Sequence, residues 1–387
     1  MVLPAARVLP PGKNIIYPRH IIVISPAQDR EEIEGLDPAL PDEPFRDYPI
    51  DSLHIRHETR TIFEVVRRIN QGSYVMDPDF QRDFIWDEQR QSRLIESVLM
   101  RIPLPVFYLA ENQEGELVVV DGLQRLSTFQ RFVSDQLALS LLNRELDGKT
   151  FGDLSPKLKN RIEDAQLILY IIDYKVSEQA KLDIFERVNS GVPLTRQQMR
   201  NCLYMGQATR WLRKEANTEL FIEATGNSLD ASSMRDREVV NRFCSFALLG
   251  YGEHKGNLDE FLAEGLKRMN QLESNELDAL RDKFHRALKN NLAVFAKHAF
   301  RKHSRDQNAR KPFNVALFDT FSTLLADRPE DDVAARADTL RSSFYSLMED
   351  ADFVTSISNS TSSPARVKTR FDKVCEMLAG VFDADSD

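Results

Sequence analysis

The residues best suited to chemistry lie in residues 118–129, whose sequence is VVVDGLQRLSTF. A buried-strand pattern runs into Asp121 and Gly122, and a helical pattern begins near Gln124. Backbone N–H groups at a helix N-terminus are unpaired and carry partial positive charge, so they bind phosphate. Gly122 allows close backbone approach, and Arg125 adds a guanidinium that is always charged. The pattern indicates a phosphate site in which Asp121 orients the arginine, positions a water or holds a divalent cation.

The same residues also have a simpler structural interpretation. Asp121 could be the N-cap residue of a core helix, with Arg125 on the surface of that helix. Spacing alone slightly favours this interpretation over a phosphate site.

Two further polar clusters flank this segment in the chain. Residues 76–86 combine acids, an amide, an arginine and three aromatics around a proline turn, which is typical of a pocket wall but also of a loop that plugs the core. In residues 184–195, Glu186 and Asn189 are three apart on one helical face, so they could share a cation such as Mg²⁺. Helix capping alone also explains the asparagine, and Thr195 with Gln198 predicts a capping box at the start of the next helix.

Composition limits the classes of protein that fit. The chain has 387 residues, of which 42% are hydrophobic and 29% charged, so two or three globular domains are expected. No apolar run reaches the roughly 20 residues that span a bilayer, and residues 1–7 lack the apolar core of a signal peptide. The three cysteines are far apart, which excludes a disulfide scaffold and predicts a cytoplasmic protein. A formal charge of -9 argues against coating of nucleic acid by bulk attraction but allows a local basic face.

The order of the elements predicts an α+β protein in three parts. Residues 1–50 hold 9 of the 17 prolines and are expected to form an arm, with one edge strand at 20–24. Residues 51–205 mix short strands and helices, and residues 206–387 show helical patterns almost throughout. Predicted helices cover 60–70, 87–100, 124 onward, 178–188, 315–325, 333–348 and 366–382, and predicted strands cover 105–109, 117–120 and 165–173.

Together the three clusters resemble the N-terminal domain of GmrSD-type modification-dependent restriction enzymes, a group marked by an Asp-Gly-Gln-Gln-Arg motif and similar to ParB-like and sulfiredoxin-like domains. Its Asp-Phe-Gln-Arg stretch between a proline and a tryptophan resembles residues 78–86, and its Ile-Pro-x-Pro resembles residues 102–105. Its signature resembles residues 121–125, and its Phe-x-Arg-x-Asn-x-Gly-x-x-Leu-Thr resembles residues 185–195. Order and spacing agree over residues 55–205. Leu123 stands where the family has the first Gln, which puts specificity and turnover more in doubt than phosphate binding.

The resemblance implies a ParB/sulfiredoxin-like domain followed by a mostly α-helical C-terminal domain. It implies a defence or restriction protein that binds an NTP with Mg²⁺ and acts on or with DNA, with NTP hydrolysis as a further expectation. Asp121 and Arg125 are the expected catalytic residues, and Glu186 and Asn189 the expected cation ligands. The expected phosphate-binding residues are Gln81, Arg82, Gly122, Gln124 and Arg125.

A basic stretch near residue 300 could contact nucleic-acid phosphates. The predicted contact residues are Lys297, Arg301, Lys302 and Arg305, although a solvated helix end explains the same pattern equally well. His298 and His303 are five apart, off the spacing of a shared metal, and are expected at the surface of this stretch.

Two other functions fit the same sequence. The pocket could belong to a metal-dependent DNA nuclease or nickase, or the chain could be a non-enzymatic adaptor for nucleic acid or a partner protein. The absence of a His-Asn-His nuclease pattern from the sequence favours the interpretation as an adaptor. A partner nuclease would then supply the cutting activity. A homo-oligomer is a further possible assembly, and no membrane is expected to take part.

Overall fold

The structure, a computed structural model, describes residues 33–35, 54–76, 86–112, 115–141, 143–188, 195–305 and 309–383. The predicted strand at 20–24 and most of the predicted arm lie outside these residues. The boundaries predicted at residues 50 and 205 stay predictions.

A mixed five-stranded sheet, in the order β2-β6-β4-β5-β3, organises the N-terminal region. β6 is antiparallel to β2 and parallel to β4, and the hairpin of β4 and β5 turns at Gly115, whose φ is 79°. The strands predicted at 105–109, 117–120 and 165–173 were confirmed to within two residues, whereas β1, β2, β3 and β7 had not been predicted. The strands are β1 (Ile33–Glu34), β2 (Ile55–Thr61), β3 (Tyr74–Val75), β4 (Phe107–Glu111), β5 (Leu117–Asp121), β6 (Gln166–Ile172) and β7 (Phe313–Asn314).

One face of this sheet is covered by four helices. Alternation along β6 puts Leu167, Leu169 and Ile171 on that face, where they are buried against the apolar sides of the helices. Helix α1 begins where the Thr61 hydroxyl accepts the N–H of Glu64 at 3.2 Å. The four helices are α1 (Ile62–Asn70), α2 (Glu88–Leu99), α3 (Leu123–Val133) and α4 (Pro156–Glu163).

Part of the opposite face packs against α5 (Glu178–Val188) and α6 (Arg196–Leu203). The predicted capping box is confirmed at the start of α6. The Thr195 hydroxyl accepts the N–H of Gln198 at 3.2 Å, and the Gln198 side chain accepts the N–H of Thr195 at 2.8 Å.

The rest of the described chain is mostly helical and packs around a second apolar core in which Phe284 contacts several other aromatic rings. The helix predicted at 333–348 is two helices, because Arg336 leaves helical geometry with φ -107° and ψ 13°. The helices are α7 (Gln207–Ala216), α8 (Glu219–Thr225), α9 (Arg235–Leu249), α10 (Leu258–Asn270), α11 (Ser274–Phe295), α12 (Val315–Leu325), α13 (Glu330–Ala335), α14 (Ala337–Glu349), α15 (Ala351–Ser356) and α16 (Pro364–Phe382).

Charged side chains also lie inside this helical region. Asp319 on α12 accepts hydrogen bonds from Arg242 on α9 at 2.6 and 2.8 Å and from Arg370 on α16 at 3.0 Å. Burial lowers the pKa of Arg370 to about 10, although Asp319 acts against that shift. The carboxylate therefore ties three helices together.

The predicted α+β fold is confirmed as a mixed sheet followed by a mostly helical region. None of the helices in the described ranges is both long enough and apolar enough to cross a bilayer.

Candidate functional site

The central motif forms a tight turn between β5 and α3. Gly122 lies between them with φ 98°, in the left-handed region that favours glycine. A Cβ atom at this position would lie 2.3 Å from Cδ1 of Phe107, closer than real Cβ atoms approach other atoms. The turn therefore requires glycine for two reasons, its backbone angle and its contact with an aromatic ring.

The residue that caps α3 is Gly122, so the interpretation of Asp121 as a side-chain N-cap is wrong. The Gly122 carbonyl accepts the N–H of Leu126 at 2.9 Å, and within the described ranges no side chain caps this helix. The first backbone N–H groups of α3 are thus left without a capping side chain, which is the condition for anion binding.

Arg125 points inward from the first turn of α3. Its guanidinium donates to the carbonyl oxygens of Pro105 at 2.6 Å and Val106 at 3.1 Å, and it lies 4.2 Å from the centre of the Phe107 ring. Only 10% of the side chain is exposed, and burial lowers its pKa even though Asp121 acts to raise it. The arginine joins the segment before β4 to the end of β5, so its direct contact with phosphate stays a prediction.

Asp121 is held by that arginine but reaches the surface. Nη2 of Arg125 lies 2.8 Å from Oδ2 of Asp121, and 32% of the aspartate side chain is exposed. A fixed guanidinium therefore orients a carboxylate that solvent can reach, one residue before the uncapped helix.

Gln124 connects the central motif to the cluster at 76–86. Its side-chain oxygen accepts the N–H of Trp86 at 3.1 Å, and the Trp86 carbonyl accepts the Gln91 amide at 2.6 Å. Two of the three clusters therefore meet through Gln124 and Trp86. The predicted residues Gln81 and Arg82 lie outside the described residues.

Glu186 lies on α5, with 44% of its side chain exposed, and Asn189 falls outside the described residues. An oxygen of Glu186 is 3.9 Å from Nη2 of Arg196, which itself pairs with Asp259 on α10 at 2.5 Å. Within the described ranges, no three His, Cys, Asp or Glu side chains come together as metal ligands would. The cation site stays a prediction in which Arg196 would compete for the carboxylate.

Asp259 also accepts Nη1 of Arg200, a buried residue of α6, at 2.5 Å. Helices α6 and α10 are thus joined by two arginines on one carboxylate.

The basic stretch near residue 300 is partly built into the core. Arg301 is 1% exposed and donates to the carbonyl oxygens of Ala299 at 2.9 Å and Thr225 at 2.7 Å. Lys302 pairs with Glu34 at 2.7 Å, whereas Lys297 and Arg305 are exposed. A buried guanidinium cannot reach a nucleic-acid phosphate without rearrangement, so any contact by this stretch would use its other cations.

The histidines of this stretch differ from the expectation of surface residues. His303 is buried, stacks on His298 with ring centres 4.9 Å apart, and packs on Phe344. Burial lowers the pKa of both histidines.

A cavity of about 500 Å³, which the sequence did not predict, lies between the end of α2, residues 101–104 and α4. Arg101, Lys157 and Arg161 line it together with Asn160 and Asp164. Arg101 and Arg161 are 60 positions apart in the chain, so periodicity within one helix could not bring them together. The only advance signal was the basic character of each segment.

No curated protein sequence matches the chain. The model of the GmrSD restriction endonuclease N-terminal domain matches residues 62–205. This range contains the turn at Gly122, the residues that hold Asp121, and helices α1 to α6. Residues 62–205 thus belong to the GmrSD restriction endonuclease N-terminal domain family, which implies a role in restriction.

Proposed function

We propose that this protein is a restriction-type defence protein whose domain at 62–205 binds and hydrolyses an NTP with Mg²⁺ and acts on or with DNA. One observation carries the proposal. A partly exposed carboxylate, Asp121, is fixed by the buried guanidinium of Arg125 two residues before the start of a helix that no described side chain caps. The family match to restriction endonucleases supports the DNA-related role.

The backbone is suited to receive a phosphate group. The first N–H groups of α3 point along the helix axis toward the turn, and the helix dipole favours negative charge there. Gly122 has no side chain to obstruct a phosphate, and Gln124 is held by Trp86. The nucleotide's phosphate oxygens would therefore bind to backbone groups of this turn, and the predicted residues Gln81 and Arg82 would complete the pocket.

Asp121 is the proposed catalytic residue. A carboxylate held in one orientation can position an attacking water or a cation that arrives with the nucleotide. Mg²⁺ would neutralise charge on the phosphates when bound. Glu186 and Asn189 are the proposed additional ligands.

Arg125 acts as a positioning residue in this proposal. Its bonds to Pro105 and Val106 fix the guanidinium, and the guanidinium fixes Asp121. This geometry supports an indirect role for Arg125 rather than a direct grip on the substrate.

The test measures binding of fluorescent NTPs and release of inorganic phosphate by the full chain with Mg²⁺. Asp121→Asn preserves side-chain size and is expected to lower phosphate release about 100-fold or more. Asp282→Asn, at an exposed position of α11, is the matched control and should keep the wild-type rate. Phosphate release that is equal in the Asp121 variant and the wild type, or no nucleotide binding by the wild type, would refute the proposal.

The family description favours a second candidate, a metal-dependent DNA nuclease that uses the same carboxylate. Nicking of supercoiled plasmid with Mg²⁺ or Mn²⁺ in the absence of NTP would identify it. Loss of nicking in Asp121→Asn without any NTP turnover in the wild type would replace the first proposal by this one.

A further inference from the structure

A row of cations runs along the exposed side of α2 and continues onto α4. Arg90 and Arg93 are exposed on α2, with Ser97 one turn further along the same side. Arg101 follows the end of α2, and Lys157 and Arg161 lie on α4. We call this surface the α2–α4 basic cleft and define it by Arg90, Arg93, Arg101, Lys157 and Arg161.

The local structure holds the two helices and the loop of this cleft together. Nη1 of Arg161 donates to the Leu99 carbonyl at 2.9 Å, joining α4 to the end of α2. Arg101 has φ 60°, a left-handed value that is uncommon outside glycine, and its N–H donates to the Val98 carbonyl at 3.0 Å. The chain therefore turns sharply at Arg101 and places this residue on the wall of the 500 Å³ cavity.

A second depression, of about 270 Å³, lies beside the first along α2 and is lined by Trp86, Arg90, Arg93 and Ser97. Ser97 and Val98, neighbours in α2, line one cavity each. Cations and neutral donors thus line two depressions that both border α2.

The five cations form no ion pair with any described residue. Across the described part of the chain, no carboxylate lies within the 4.0 Å of an ion pair from any of them. Glu96 and Asp164 border the surface but form no such pair. Elsewhere in the same domain, Arg56, Arg60 and Arg68 all pair with glutamates. In a protein with a net charge of -9, these five cations thus lie close together without an ion pair among the described residues.

We propose that the α2–α4 basic cleft binds the phosphodiester backbone of DNA. Arg90 to Leu99 spans about 14 Å of helix, which equals about four phosphates of one strand at about 3.4 Å of duplex axis each. A single nucleotide would engage only part of this length. Arginine and lysine with neutral donors such as Ser97 and Asn160 are the groups that contact DNA phosphates without reading sequence.

The inference rests on the proposed function only in taking DNA as the substrate, and it does not require NTP hydrolysis. The cleft would position the duplex, and residues elsewhere would carry out chemistry. Contacts to the DNA backbone release counterions. The affinity for DNA should therefore fall with increasing salt, in proportion to the number of phosphates that the cleft contacts.

The experiment measures the anisotropy of a fluorescein-labelled DNA duplex titrated with the full chain at 50 to 200 mM salt without nucleotide. Five phosphate contacts predict a slope of log affinity against log salt of about -4.5, or about a 500-fold loss of affinity across this range. A triple variant, Arg93→Gln, Arg101→Gln and Lys157→Gln, keeps two of these cations. Its affinity for DNA is therefore expected to fall only about 12-fold between 50 and 200 mM salt.

The matched control removes the same charge from exposed positions of α7 and α10, by Arg210→Gln, Lys214→Gln and Arg268→Gln. It should keep the wild-type slope. An equal change of slope in both triple variants, no DNA binding by the wild type, or stronger binding of duplex RNA than of DNA would each overturn the inference. A cleft-dependent slope in a wild type that releases no phosphate supports the cleft and refutes only the nucleotide proposal.

Discussion

The α2–α4 basic cleft and the basic stretch near residue 300 contain the same kinds of side chain but use them differently. In the cleft, cations from two helices and a loop face solvent and form no ion pairs in the described residues. In the stretch, Arg301 is buried and Lys302 pairs with Glu34. The stretch is conspicuous in the sequence because its cations lie within nine residues, 297–305, whereas the cleft is assembled from distant segments.

This difference shows that density of charge along the chain does not measure charge offered to a ligand. Arg301 donates to the Thr225 carbonyl at the end of α8 and to the Ser228 hydroxyl in the following turn, and packing takes its side chain inward. The cleft cations lie on the outer sides of helices whose apolar sides already fill the core.

The largest expected effect concerns the buried arginine. Arg301→Met removes hydrogen bonds to the carbonyl oxygens of Ala299 and Thr225 and to the Ser228 hydroxyl, and leaves these acceptors without that donor. The free energy of unfolding should fall by about 3 kcal/mol or more, measured by urea denaturation. Arg305→Met, at an exposed position of the same stretch, is the control and should change it by less than about 0.5 kcal/mol. If the Arg301→Met protein were as stable as the wild type but bound DNA more weakly, Arg301 would have a binding role rather than a structural one.

A pH effect of intermediate size is expected from the histidines of the same stretch. Because burial lowers the pKa of His298 and His303, the folded protein binds fewer protons than the unfolded chain between those lowered values and about 6.5. The contribution of the two histidines to the free energy of unfolding is therefore fully present above about pH 6.5. It falls as the pH decreases below that value, by at most about 1.4 kcal/mol per pH unit for each histidine.

Urea denaturation at several pH values between 5 and 8 tests this expectation. His303→Gln should show a shallower loss of stability below pH 6.5 than the wild type, whatever its stability at pH 8. Measurements at pH 7.5 and 8, where both proteins should show little pH dependence from this source, provide the reference. An unchanged slope at low pH would mean that His303 is accessible to protons in the folded protein.

The smallest expected effect is on stability in the cleft. Arg93→Gln should leave the free energy of unfolding within about 0.5 kcal/mol of the wild type, because the side chain is exposed and forms no ion pair. The free energy of unfolding should rise slightly because the substitution relieves repulsion from Arg90, one turn away. A loss of several kcal/mol would show that the cleft cations are structural, as Arg301 is.

Much of the fold could be predicted from local pattern. The hydrophobic run at Val118 to Val120, the helix beginning beside Gln124 and the capping box at Thr195 depend on neighbours within a few residues. The strand Ile55–Thr61 escaped prediction because it lies at a sheet edge, where exposed polar residues alternate with half-buried charged ones.

The turn that carries the candidate site was predicted in position, but the direction of its arginine was not. Asp121, Gly122 and Gln124 lie around the predicted turn, and the requirement for glycine follows from it. The inward direction of Arg125 depends on the carbonyls of Pro105 and Val106, about 20 residues away, and no pattern within the motif contains that information. The cleft was missed for the same reason.

The two arginines of α6 that share Asp259 have a practical consequence. A fragment that stops at residue 205, where the family match ends, would keep Arg196 and Arg200 but discard the carboxylate that both of them contact. Arg200 is buried in the intact chain, and truncation would leave its charge without that carboxylate. The end of the family match at residue 205 is therefore a poor boundary for an expressed fragment.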